Sequence, residues 1–218
     1  MKKELLHIYD RLYRYFGPQH WWPAESEFEV VVGAILTQSV SWKNVETAIQ
    51  NLKKEGILTI QGIADVDKGR LAELIKSTLY YNQKAEKLKR FCNHLKENYG
   101  CNIFKLFNKE MYDLRAELLS IKGIGKETAD SIILYAAKKP IFVVDAYTRR
   151  IFHRLGYFRE DEDYQSMQDF FMGNLPPDVD MFNEYHALIV AEGKDFCTSR
   201  KPKCNACPLS DICKYWRK

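Results

Sequence analysis

From Leu118 to Asp145 the chain reads LLSIKGIGKETADSIILYAAKKPIFVVD, which couples a turn able to grip an anion to a carboxylate one helix further on. Gly123 and Gly125 let the backbone turn sharply and bring bare amides close to a partner. Lys126-Glu127-Thr128-Ala129 then opens a helix whose first amides and dipole favour negative charge. A DNA phosphate is a natural guest, because backbone donors position a duplex without reading its sequence. A plain helix–turn–helix connection is the alternative reading of the same glycines. Asp145 stands before Ala146-Tyr147-Thr148-Arg149-Arg150 as a helix N-cap would. That position keeps a carboxylate ionised, so capping and chemistry are compatible.

The second group of reactive side chains is Cys197, Cys204, Cys207 and Cys213, spaced C-x6-C-x2-C-x5-C. Clustered cysteines without a secretory signal point to a metal site rather than disulfides. Zinc ribbons use two CxxC or CxxH arms separated by a longer loop, whereas here one CxxC arm is flanked by single thiolates. Four thiolates wrapped so compactly suit a cubane iron–sulfur cluster, with zinc as the alternative. Cys92 and Cys101 lie far from this group and read as buried thiols.

These residues need a scaffold, and its periodicity is helical throughout. The chain has 218 residues, 46% hydrophobic and 28% charged, an ordinary balance for a globular protein of one large or two small domains. Leu5, Tyr9, Leu12 and Phe16 mark an amphipathic N-terminal helix rather than a signal peptide. A buried helix is expected over 28–36, then helices over 41–55, 67–79, 82–99, 109–120, 128–137, 145–155, 162–175 and 181–192. Ile141-Phe142-Val143-Val144 reads equally as a short strand or an extended loop. The fold class is all-α. No apolar run approaches a membrane span, so a cytoplasmic, nucleoid-associated protein is expected. Net charge is +4, yet residues 200–218 carry six basic residues against Asp211 alone. A basic end folded around cysteines makes a phosphate-contacting surface.

Taken together, the hairpin, Asp145 and the cysteine spacing make the chain resemble the endonuclease III superfamily of helix-hairpin-helix DNA glycosylases. The hairpin pattern L-x-G-x-G-x-x-T-A is met by Ile121 to Ala129, the V-D-x-x-x-x-R block by Val144 to Arg150, and the iron–sulfur loop at every ligand. The resemblance implies a [4Fe–4S] cluster held by the 197–213 loop, and two helical lobes with a DNA-binding cleft. It places a six-helix barrel-like domain at 24–132, ending in the hairpin, and a second helical domain at 1–23 plus 133–218. A monovalent cation at the hairpin is a further expectation. The partner would be double-stranded DNA with a damaged base, flipped out of the duplex, and the protein a monomer. Asp145 would stabilise the oxocarbenium-like sugar and orient or deprotonate a water.

Glu127 departs from the family pattern. Members that also cut the strand carry there a lysine that forms a Schiff base with the sugar. A carboxylate cannot do so, and neighbouring Lys126, about 100° around the helix, reads as a phosphate contact or a solvated residue. Excision by water without strand cleavage follows. Gln38 matches the glutamine that fills the gap left by the flipped nucleotide, and Tyr80 matches the wedge on the other side. Trp21, Trp22, Pro23 and Trp42 form the candidate base pocket, although such aromatics are more often core. With the TQ, YNQKA and GIGKETAD segments they most resemble the 3-methyladenine DNA glycosylase III branch, which removes alkylated purines. Indole faces would favour a cationic methylated base. The alternatives are a mismatch thymine/uracil glycosylase, an oxidised-pyrimidine glycosylase/lyase, and a non-catalytic DNA-binding module.

Overall fold

The computed structural model describes residues 1–217, and among them every regular element is helical. The chain divides into two compact units, Met1–Trp21 with Pro140 onward, and Trp22–Lys139. The first division falls two residues before the sequence expectation of 23/24, and the second seven residues after that of 132/133.

In the first unit, helix α1 (Lys2–Phe16) buries Leu5, Ile8 and Leu12. Ile8 replaces Tyr9 on the expected stripe, because Tyr9 sits at the rim, edge-on to Tyr185 at 5.3 Å. Tyr185 Oη donates to the carbonyl of Leu5 at 2.8 Å and ties α1 to the last long helix.

The second unit begins with α2 (Glu27–Leu36), capped by Ser26, whose hydroxyl accepts from the Glu29 amide. Every residue from Phe28 to Leu36 is buried, so this is the central helix of its unit. Around it lie α3 (Trp42–Lys54), α4 (Ile60–Asp65), α5 (Lys68–Leu74), α6 (Tyr81–Tyr99), α7 (Ile103–Phe107) and α8 (Met111–Ser120). Helix α9 (Lys126–Ser131) follows the hairpin and continues as a π turn over Ile132–Ala136. Helices α4 and α7 were not foreseen, since six and five residues are too short to show a period. The single helix expected over 67–79 is instead α5, a 3-10 turn at Lys76–Thr78, and then Leu79 and Tyr80 with positive φ. Tertiary contacts override the pattern there: Ser77 Oγ donates to the Asn44 carbonyl at 2.7 Å, and Lys84 captures the carbonyl of Thr78.

Back in the first unit, residues 141–144 are buried, without regular structure, and join no sheet. Phe142 stacks on Phe171 at 4.0 Å, and its carbonyl accepts from Gln168 Nε2 at 2.7 Å. This strap delivers Asp145 to the start of α10 (Ala146–Leu155), followed by α11 (Tyr164–Asn174) and α12 (Val179–Asp195).

Candidate functional site

Asp145 is the N-cap of α10, and its Oδ1 accepts from the Thr148 amide at 2.7 Å and the Thr148 hydroxyl at 2.9 Å. Its Oδ2 lies 3.6 Å from His186 Nε2 on α12, a side chain only 6% exposed. Burial alone would raise the Asp145 carboxyl, but His186 and Thr148 outweigh it and hold the group below the usual carboxylate range. Capping occupies Oδ1 and leaves Oδ2 toward His186, so the cap does not exclude a chemical role for Asp145. Sequence reasoning missed His186, whose only signal is one imidazole inside the buried run Tyr185-His186-Ala187-Leu188. Trp21 packs edge-on against the same imidazole at 6.0 Å, with Lys194 Nζ 5.9 Å from its centroid.

Within the second unit, Gly123 has φ 104°, and Gly125 is the extended N-cap of α9. A β-carbon on Gly123 would stand 2.7 Å from Lys87 Cγ, so the lysine stem occupies the space a side chain would need. Gly123, Gly125, Lys126 and Glu127 are exposed, while Ile121 and Ile124 are buried and anchor the turn. Arg115 on α8 and fully buried Asp130 on α9 pair at 2.6 Å and clamp the two helices of the hairpin.

Gln38, just past α2, meets this hairpin directly. Its Nε2 donates to Thr128 Oγ1 at 2.7 Å, and its Oε1 accepts from Lys87 Nζ at 2.5 Å. Tyr80 is 67% exposed at φ 47°, and the adjacent Leu79 is 55% exposed at φ 51°. Two successive large apolar side chains on left-handed backbone are costly, and such strain collects at functional sites. Leu79 was not singled out from the sequence, because nothing local announces its backbone.

The four aromatic-pocket candidates separate. Trp22 contacts Trp42 edge-on at 5.2 Å and Tyr135 at 5.1 Å, and it packs where Gly33 leaves room on α2. Pro23 and Trp42 line an open cleft with Glu25, Glu29, Glu46 and Lys53. Trp42 Nε1 donates to Glu46 Oε1 at 2.7 Å, which fixes the indole. Trp21 belongs to the other unit, beside His186.

Cys197, Cys204, Cys207 and Cys213 line one small pocket with Arg154 and Tyr215. Among the described residues, no three His, Cys, Asp or Glu side chains converge as ligands of a single ion. Four thiols lining one pocket are the donor set that a [4Fe–4S] cluster takes. Burial pushes the Cys197 and Cys207 thiols up, so a cationic cluster is what makes thiolates stable here. N–H donors to the sulfurs are already in place: the Arg154 guanidinium Nη1 lies 3.3 Å from Cys197 Sγ, and the Leu209 amide 3.4 Å from Cys207 Sγ. Buried Glu192, also missed from sequence, accepts from Cys207 Sγ at 3.0 Å. Arg11 pins the loop from outside, bonding Asp211 and the Pro208 carbonyl.

Residues 32–177 match the family described as HhH-GPD superfamily base excision DNA repair protein, and residues 197–213 match the iron-sulfur binding domain of endonuclease III. The protein named "Putative DNA repair glycosylase MJ1434" in Methanocaldococcus jannaschii is 51% identical over 207 residues, covering 94% of each chain. A trapped endonuclease III–DNA covalent intermediate matches with a TM-score of 0.86 at 22% identity, over 100% of this chain and 97% of that one. Helicobacter pylori 3-methyladenine DNA glycosylase (MagIII), bound to 1,N6-ethenoadenine, matches at 28% identity and a TM-score of 0.72, over 88% of this chain and 95% of that one. Among the described residues, no helix is long and apolar enough to cross a membrane.

Proposed function

Since the chain belongs to the HhH-GPD superfamily of base excision DNA glycosylases and carries the [4Fe–4S] domain of endonuclease III, we propose that it excises alkylated purines without cutting the strand. The observation that carries this reading is Glu127, in the first turn of α9, where strand-cutting relatives need an amine. A carboxylate forms no Schiff base, so water is the nucleophile. Asp145, held ionised, faces the charge that grows on the sugar as the base departs. His186, 3.6 Å from that carboxylate, favours its ionised form.

A purine methylated at ring N3 or N7 is cationic and leaves readily. The cavity edged by Pro23 and Trp42 offers an indole face and the carboxylates of Glu25, Glu29 and Glu46, with Lys53 as counter-charge. That environment supports a cationic guest over a neutral one. The likeness to MagIII supports the same substrate class. Gln38, Tyr80, Gly123, Gly125 and Lys126 are assigned to the DNA. The cluster, held by Cys197, Cys204, Cys207 and Cys213, fixes the basic loop against phosphates. The partner is damaged double-stranded DNA, bound by a monomer in the nucleoid-associated cytoplasm, and a monovalent cation at the hairpin belongs to the same reading.

Duplexes containing 3-methyladenine, 7-methylguanine, 1,N6-ethenoadenine, a G·T mismatch or thymine glycol test it. Release of free alkylpurine with an intact abasic strand is expected. Release of thymine from G·T, or of thymine glycol with strand cleavage, would replace this reading with one of its rivals.

A further inference from the structure

Lys84 lies in the first turn of α6 and is 2% exposed. Its Nζ donates to the carbonyls of Leu36 and Gln38, each at 2.9 Å, and to that of Thr78. An ammonium has three protons, and all are spent on main-chain oxygens from two separate loops. Leu36 ends α2 and Thr78 ends the 3-10 turn, so the charge also meets the negative ends of both elements. The residues that follow these carbonyls, Ser39 on one side and Leu79–Tyr80 on the other, have positive φ. One turn along α6, Lys87 bonds the Gln38 side chain and crosses Gly123 of the hairpin. Burial, reinforced by repulsion from Lys87, pushes the Lys84 ammonium down to about 8, and the three carbonyls work in the opposite direction.

A buried lysine on three carbonyls is more than the fold requires, since water would satisfy the same oxygens if the loops were separate. We propose that Lys84 is a positioning residue that locks the Gln38 loop to the Leu79–Tyr80 loop, so that gap filler and wedge enter the duplex as one rigid body. The inference rests on the reading that Gln38 and Tyr80 probe DNA. Rigid coupling means that losing one probe disables the other, and that removing Lys84 makes the two independent.

The experiment is a double-variant cycle, Gln38→Ala and Tyr80→Ala, in the wild-type chain and in Lys84→Met. It is read by stopped-flow fluorescence of 2-aminopurine beside an abasic analogue. Thermal melting and circular dichroism establish that each variant is folded. In the wild type, the double variant should fall short of the product of the single losses by about tenfold. In Lys84→Met the losses should multiply. If Lys84→Met does not fold, Lys84→Gln, which keeps two donors, takes its place. Equal coupling in both backgrounds would overturn the role of Lys84, because a merely structural lysine changes stability and leaves the cycle intact. If neither Gln38→Ala nor Tyr80→Ala slows flipping, the reading of those residues fails and the coupling falls with it.

Discussion

The carboxylate of Asp145 and the imidazole of His186 stand 3.6 Å apart, one at the start of α10 and the other near the middle of α12. The buried strap before Asp145 and its bonds to Thr148 leave the carboxylate little freedom, so His186 acts on its charge rather than its position. Asp145→Asn should abolish excision, by about 10²–10³-fold or more, while sparing affinity for the duplex. His186→Gln should cost roughly tenfold in kcat with little change in KM. Single-turnover excision and gel-shift titration separate the two effects, and an Asp145→Asn enzyme with preserved turnover would overturn the assignment.

Because Asp145 is held below the usual carboxylate range, its ionised form persists as pH falls through the value of a free aspartate, about 4. The single-turnover rate should therefore show no loss from Asp145 protonation between pH 7 and about 4.5. In His186→Gln the acid limb should move upward. An unchanged limb would mean that Thr148 and the helix terminus suffice.

Glu127→Lys places an amine where relatives that cut the strand carry one. Borohydride should then trap a covalent adduct on abasic DNA that the wild type does not form. An adduct formed equally by the wild type would remove the case for excision without cleavage.

The hairpin glycines differ in what they do. Gly123 combines φ 104° with a blocked β-carbon position, so Gly123→Ala should cost about 1–3 kcal/mol of stability. Gly125 has φ −94° with nothing within 4 Å of its β-carbon position, so Gly125→Ala should melt within about 0.5 kcal/mol of the wild type. It should still weaken DNA binding, equally for every lesion, because the methyl stands where a phosphate approaches the amides. Unchanged affinity for undamaged duplex in Gly125→Ala would remove the hairpin from the interface.

What the sequence made legible follows from how far each feature depends on distant residues. Asp145 and the four cysteines sit in compact motifs, so the family resemblance can be read from them directly. Helix α6, with Ala85, Leu88, Phe91, Cys92 and Leu95 on one face, announces itself by periodicity. The Leu79–Tyr80 kink does not, since Ser77 bonds the distant Asn44 carbonyl and Lys84 ties Thr78 to the distant carbonyls of Leu36 and Gln38. His186 was hidden because a histidine among apolar residues has no local mark of its partner. Trp21 and Trp22 looked like one platform, but adjacency in sequence does not fix which unit a side chain packs in. The π turn after α9 has no sequence signature either.

Glu117 offers a test of the scaffold independent of DNA. Its carboxylate, 15% exposed, accepts from His94 Nε2 at 2.7 Å, from Tyr99 Oη at 2.6 Å and from Lys109. Burial would raise it, but the Lys109 ammonium, the tyrosine and the imidazole together bring it down to about 2. A carboxyl depressed in the folded state adds stability that is complete above its unfolded value, near 4.5, and is lost as pH falls toward 2. The full shift corresponds to about 3 kcal/mol, and solvent around the 41%-exposed Lys109 reduces this to about 2 kcal/mol. Glu117→Gln should therefore lower stability by that amount at pH 7 and by almost nothing at pH 2. Urea melts of both proteins across that range measure the difference, and a gap that does not close at low pH would mean that packing, not charge, is what Glu117 contributes to α8 just ahead of the hairpin.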